Sequence, residues 1–153
     1  MGSTTTKDSL AFLLISGTRM LNAAFERRIA DAGLGLTPGE ARALLAIAAI
    51  DGSKQSDIAA RLGIEPMTIC AYLDKLQSLD LIERKPDPQD RRSNRVMLTE
   101  TSQTMLHAVR EELEALHKQA TQGMSTRQVE AFRQLLETLH KNLQPEQPAN
   151  GGQ

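Results

Sequence analysis

Tryptophan is absent from this 153-residue chain, aromatic residues make up 3% of it, and cysteine occurs once. With so few aromatics, Leu, Ala and Met must fill the core, which favours helices over a strand-rich sandwich built on Val, Ile, Tyr and Phe. A lone cysteine cannot close an internal disulfide, and nothing resembles a zinc ribbon. An excess of either charge is also missing: 18 Lys and Arg face 19 Asp and Glu, for a formal net charge of −1. No apolar run approaches the ~20 residues that a membrane span needs, and no charged-then-apolar leader opens the chain. The length suits one domain, 1–153. Together these features predict a soluble, cytoplasmic, mainly α protein with no membrane partner.

Enzyme motifs are lacking as well. There is no glycine-rich phosphate loop, no nucleophile elbow and no pair of carboxylates with a definable cleft, so neither catalysis nor a cofactor is expected. Metal sites need three or four converging ligands. Of His107, His117 and His140, only His107 has a candidate co-ligand one helical turn away, Glu111, so an exposed helix pair is expected and no metal. Met1-Gly2 with Thr6 fits a myristoylation pattern, but the match is short and frequent by chance.

What is present is a series of well-marked helices. Leu10, Leu14, Leu21, Phe25 and Ile29 form one apolar stripe on a long first helix that Gly33 and Gly35 end. Thr37-Pro38-Gly39-Glu40 spells a helix start, with Thr37 as cap, Pro38 in the first turn and Glu40 closing a capping box. The helix that follows, 41–50, is apolar apart from Arg42 and should be buried. Asp51-Gly52 breaks the chain, Ser53 is placed to cap a short third helix ending at Leu62-Gly63, and Pro66 starts a fourth that runs to about Leu79. Two short strand-like runs, 81–85 and 95–98, flank a turn-rich charged loop at 86–94 and predict a β-hairpin. Beyond Thr99, Leu106, Val109, Leu113 and Leu116 mark a fifth helix, and Gly123 ends it. Ser125 with Gln128 starts a sixth, carrying Val129, Phe132, Leu136, Leu139 and Leu143. Residues 144–153, rich in Pro, Gly and Gln, read as a disordered tail. The stripes of the terminal helices are too long for one small domain to cover, which predicts a homodimer. The alternative is that they pack on each other within one chain.

Function concentrates in residues 55–99. Ala59 is small where two helices would cross, and Gly63, four residues on, can adopt the positive φ of a tight turn, giving the layout of a helix-turn-helix. The hairpin downstream crowds Arg91, Arg92 and Arg95 into five residues. A basic hairpin beside a helix-turn-helix is a winged helix, whose second helix enters a major groove while the wing reaches a neighbouring minor groove.

At this point the chain resembles the multiple-antibiotic-resistance regulator (MarR) family of bacterial transcription factors. The resemblance spans the first helix to the last. Its most specific parts are Asp90-Arg91-Arg92-Ser93, similar to the family's D-x-R-[SA] wing signature, and Val96-Met97-Leu98-Thr99-Glu100 after it. Leu79-Asp80-Leu81-Ile82-Glu83-Arg84 is also similar, with Asp80 where a Gly is usual. The resemblance implies a winged helix-turn-helix at 37–99, dimerisation helices at 8–34 and 100–143, and double-stranded DNA bound as a pseudo-palindrome. It further implies repression relieved by a small aromatic or phenolic effector or by thiol oxidation.

Residue roles follow from chemistry. Pro66, Met67, Thr68, Cys70 and Ala71 lie opposite the Ile69–Leu73–Leu76 stripe and should face DNA. Thr68 can hydrogen-bond a base edge, and Met67 and Ala71 can touch thymine methyls. Many family members carry Arg where Ala71 stands, and this helix face has no bidentate Arg, Asn or Gln, so shape readout by the wing gains weight. Arg92 is the candidate for minor-groove insertion, with Asp90 orienting it or bracing the wing through an ion pair. Arg91, Arg84 and Lys85 are candidate phosphate contacts, and Arg95 is a candidate tie between hairpin and helices. Cys70 would release DNA if oxidised on that face, although small-residue filler is the simpler reading. Arg19 and Arg42 could each pair with a carboxylate effector, or equally face solvent or an internal ion pair. A winged-helix module that binds protein instead of DNA is the rival class.

Overall fold

The computed structural model describes residues 8–145. The amino-terminal Met1-Gly2-Thr6 pattern and residues 146–153 of the expected tail lie outside the described residues. The elements in chain order are α1 (Leu10–Ala32), α2 (Pro38–Ala49), α3 (Gln55–Leu62), α4 (Pro66–Ser78), β1 (Ile82–Pro86), β2 (Asn94–Leu98), α5 (Ser102–Ala120) and α6 (Thr126–Leu143). This is the mainly α fold with a hairpin wing that the sequence predicts. The chain divides into two compact units, Met1–His117 and Lys118–Gln153.

The first unit contains the hydrophobic core. Phe25 and Ile29 of α1, Leu44 and Ile47 of α2, Ile58 of α3, Ile69, Leu73 and Leu76 of α4, Ile82 and Val96 of the hairpin, and Leu106, Val109 and Leu116 of α5 are all buried. Each such side chain contributes about 1.5–3 kcal/mol relative to exposure. In α1 only the carboxyl-terminal part of the apolar stripe is covered, whereas Leu10, Leu13, Ile15 and Leu21 stay exposed. Leu113 of the α5 stripe is likewise exposed.

Local signals act as the sequence reads. Thr37 and Glu40 form a reciprocal capping box, with Glu40 N–H donating to the Thr37 hydroxyl at 3.2 Å and Thr37 N–H to the Glu40 carboxylate at 2.8 Å. Gly63 ends α3 at φ 64°, a left-handed conformation that glycine adopts without strain. One expectation is corrected. Ser53 does not cap α3, because the cap position is Lys54 and no side chain bonds the helix start. The backbone of 52–54 is engaged elsewhere: Gly52 N–H donates to Val96 O and Val96 N–H to Ser53 O, both at 2.9 Å, extending the hairpin by a short third edge. The hairpin itself is antiparallel, pairing Ile82 with Leu98, Arg84 with Val96 and Pro86 with Asn94.

In the second unit, α6 begins at a second reciprocal capping box, Ser125 with Gln128. None of its residues is buried, and Phe132, Leu135 and Leu143 are prominently exposed.

Candidate nucleic-acid interface

Helix α4 has two faces. Ile69, Leu73 and Leu76 are 0–1% exposed and fix it on the core. Pro66, Met67, Thr68, Cys70 and Ala71 are all exposed on the other side, Met67 at 85%. The five residues expected to face DNA thus share one uncovered surface.

The wing is built around two aspartates. Asp90 accepts a hydrogen bond from the Arg92 backbone N–H at 3.1 Å and another from the Ser93 hydroxyl at 3.0 Å. It therefore braces the turn, but through neutral donors. The expected ion pair with the Arg92 guanidinium does not form, because the carboxylate is folded back on the loop backbone. The guanidinium groups of Arg91 and Arg92 are left exposed, with no side-chain partner among the described residues.

Asp87 is the residue whose role the sequence conceals. It is 1% exposed, and its carboxylate accepts from Gln89 N–H at 2.8 Å. The other oxygen lies 3.2 Å from Arg95 Nε and 3.7 Å from Lys54 Nζ, close enough for charge pairing but aligned with neither for a hydrogen bond. The Gln89 N–H holds this carboxyl below the usual carboxylate range, and the cations of Arg95 and Lys54 reinforce it against the opposing effect of burial. Arg95 also donates to Gly52 O at 3.0 Å, so it does tie the hairpin to the α2–α3 connection. In sequence Asp87 looks like one more turn residue between two prolines, and the only hint is the surplus of nearby cations.

Arg84 and Lys85 sit lower on β1. Arg84 pairs with Asp74 and donates to Gln77 Oε1 at 2.7 Å, fastening the wing to the last turns of α4. Lys85 is exposed, 3.7 Å from Glu83. Asp80, in the position usually held by Gly, has φ 59° and recovers stability from its neighbours: its carbonyl accepts from the Thr99 hydroxyl at 2.6 Å.

A cleft of about 520 Å³ joins the two parts of the surface, lined by Gln55, Pro66 and Cys70 from the helices and by Arg92, Ser93 and Asn94 from the wing. Gln55, absent from the residues singled out by sequence, donates through Nε2 to Cys70 Sγ. Arg42 and Arg19 differ in setting. Arg42 lies 5.1 Å from the Phe25 ring centroid and 3.5 Å from Glu26, and donates to Asn22 O at 3.4 Å. It also lines a pocket of about 260 Å³ with Asn22, Gly39, Leu62, Ile64 and Tyr72. Arg19 is exposed on α1 and does not line that pocket. His107 and Glu111 form an exposed pair at 3.2 Å, and the described residues contain no cluster of three metal-ligating side chains. No described helix is long and apolar enough to cross a membrane.

These features define a winged helix-turn-helix of the DNA-binding, transcription-regulating class. The family model of the MarR family matches residues 34–93, from the α1–α2 connection to the wing. A MarR-family transcriptional regulator from Silicibacter pomeroyi is similar in structure, with 27% identity, a TM-score of 0.78, and 88% of this chain and 89% of that one covered. A probable transcriptional regulator from Pseudomonas aeruginosa matches at 27% identity and TM-score 0.68, over 86% of this chain and 97% of that one. The transcriptional repressor CouR, solved bound to a 23-mer DNA duplex, matches at 26% identity and TM-score 0.73, over 92% and 98%. The winged helix-turn-helix segment thus matches the MarR-family model, and the described fold is similar to solved regulators of that family.

Proposed function

We propose that the chain is a homodimeric, ligand-responsive repressor that binds a pseudo-palindromic operator in the bacterial cytoplasm. The observation that carries this reading is the cleft that joins the exposed face of α4 to Arg92, whose guanidinium has no partner among the described residues. Pro66, Met67, Thr68, Cys70 and Ala71 meet bases in a major groove, and Arg92 enters the adjacent minor groove. Asp90 holds the turn that presents it. Arg91 and Lys85 contact phosphate, whereas Arg84, already paired with Asp74, contributes there mainly by fastening the wing. The exposed apolar residues of α1 and of α6 are the material of a dimer interface, since patches of this kind are uncommon on monomers. The dimerisation helices are those within 8–34 and 100–143.

The effector is a small aromatic or phenolic molecule carrying a negative charge, with Arg42 as its partner in the 260 Å³ pocket. Arg19 does not line that pocket. An effector shifts the population of DNA-competent dimers only by its difference in affinity for the two states. A second reading, release of DNA on thiol oxidation, is supported by the exposure of Cys70 on the DNA-facing surface. The test is selection of genomic fragments by the purified protein, followed by titration at two salt concentrations. Recovery of one pseudo-palindrome, bound more weakly as salt rises, supports the proposal. Unaltered DNA release by peroxide from Cys70→Ser protein removes the thiol reading. Failure of a folded dimer to select DNA, with and without candidate effectors, favours a protein-binding module.

A further inference from the structure

Helix α4 exposes no Arg, Asn or Gln on the five-residue face that meets DNA, so it lacks a bidentate base reader of its own. We infer that α3 supplies one: Gln55 is a specificity-determining residue that reads adenine in the major groove, held in place by Cys70. This rests on the proposed DNA-binding role of that surface. Gln55 is the first residue of α3, it is half-buried, and its amide reaches across to Cys70 in the second turn of α4. It lines the same cleft as Pro66 and as Arg92 of the wing.

The hydrogen-bond inventory of the amide makes the argument specific. A carboxamide has two N–H donors and one carbonyl acceptor with two lone pairs. One N–H is directed at Cys70 Sγ, which leaves the other N–H and the carbonyl oxygen for DNA. Adenine presents the complement in the major groove, an N7 acceptor next to an N6 donor. Guanine presents two acceptors there and would leave the Gln55 carbonyl facing O6. The bond to Cys70 also fixes the side chain before DNA arrives, so less rotamer freedom is lost on binding. Cys70 is in this account a positioning residue.

The experiment is selection from randomised double-stranded DNA by the full chain and by Gln55→Ala and Gln55→Glu, with far-UV circular dichroism as the control for folding. Both substitutions fall at a half-buried helix start, where an acid is favoured by the helix dipole. Wild type is expected to prefer adenine at one position of each half-site. Gln55→Ala should lose that preference alone, by about 5- to 150-fold, while the rest of the site is kept. Gln55→Glu should move the preference at that position from adenine to cytosine, whose N4 group donates to a carboxylate. Uniform weakening across all sequences would make Gln55 a phosphate contact and overturn the inference while leaving the DNA-binding reading intact. An unchanged site in both variants would overturn it as well. If wild type itself selects no site, the DNA-binding reading fails and this inference fails with it.

Discussion

Gly39 sits in the first turn of α2, where alanine would ordinarily be the better helix former by up to about 1 kcal/mol. Here the structure predicts the opposite sign. A Cβ built on Gly39 would come within 2.9 Å of Tyr72 Cε1, and closer still to its Cζ and Oη. Ordinary carbon contacts begin near 3.5 Å, so the phenol ring must retreat by something on the order of 1 Å. Overpacking of this kind costs about 1–3 kcal/mol, which outweighs the gain in propensity and leaves Gly39→Ala destabilising by about 1 kcal/mol. Removing the ring reverses the balance: in a Tyr72→Ala background, Gly39→Ala should be neutral or stabilising. Urea unfolding of the four proteins, at one fixed protein concentration because the chain is expected to dimerise, gives the coupling between the two positions. A coupling of at least about 1 kcal/mol is expected. Additivity within about 0.5 kcal/mol would refute the argument that Tyr72 is what keeps residue 39 a glycine.

Other outcomes follow from the same geometry. Arg92→Ala should weaken binding to the selected site by at least about tenfold and lower the slope of log affinity against log salt by about one, read by titration at several salt concentrations. Asp87→Asn should lower stability at neutral pH, because Arg95 and Lys54 lose their charge partner. The Asp87 pKa is depressed in the folded chain, so its contribution is full above the unfolded carboxyl pKa and is lost as pH falls through the folded value. Denaturation midpoints of wild type and Asp87→Asn should therefore converge in acid. A gap that persisted at the lowest pH would mean that the lost contribution is not electrostatic. Leu73→Ala, at a position fully buried in α4, should cost about 2–5 kcal/mol in the same unfolding assay. Thr37→Ala removes one half of the α2 capping box and should cost about 1 kcal/mol.

What could be read from the sequence was local. The two capping boxes, the Gly63 turn and the Ile69–Leu73–Leu76 stripe each depend on residues within one or two helical turns, so spacing alone reveals them. Ser53 misleads for a complementary reason: it has the chemistry of a cap, but its backbone is recruited by Val96, more than forty residues away. Asp87 and Gln55 share that difficulty. Their partners are Arg95 and Lys54 in one case and Cys70 in the other, and only the folded chain brings them together. Asp90 was legible as a wing brace, since D-x-R-S is a short motif. Which atoms it braces was not, because a side chain that can fold back onto its own loop competes with the more obvious cation.

Tyr72 and Ala71 are neighbours on one stiff helix, yet one looks into the pocket that holds Arg42 and the other looks outward to where DNA would lie. A hundred degrees of helical arc separates them. An effector in that pocket, as proposed above, would touch Tyr72 of α4 directly. A roll of α4 about its own long axis, were the pocket to drive one, would re-aim every outward side chain at once. A subunit wired this way would lose its register on DNA as a unit, much as a key fails when it is turned slightly in the hand before it reaches the lock.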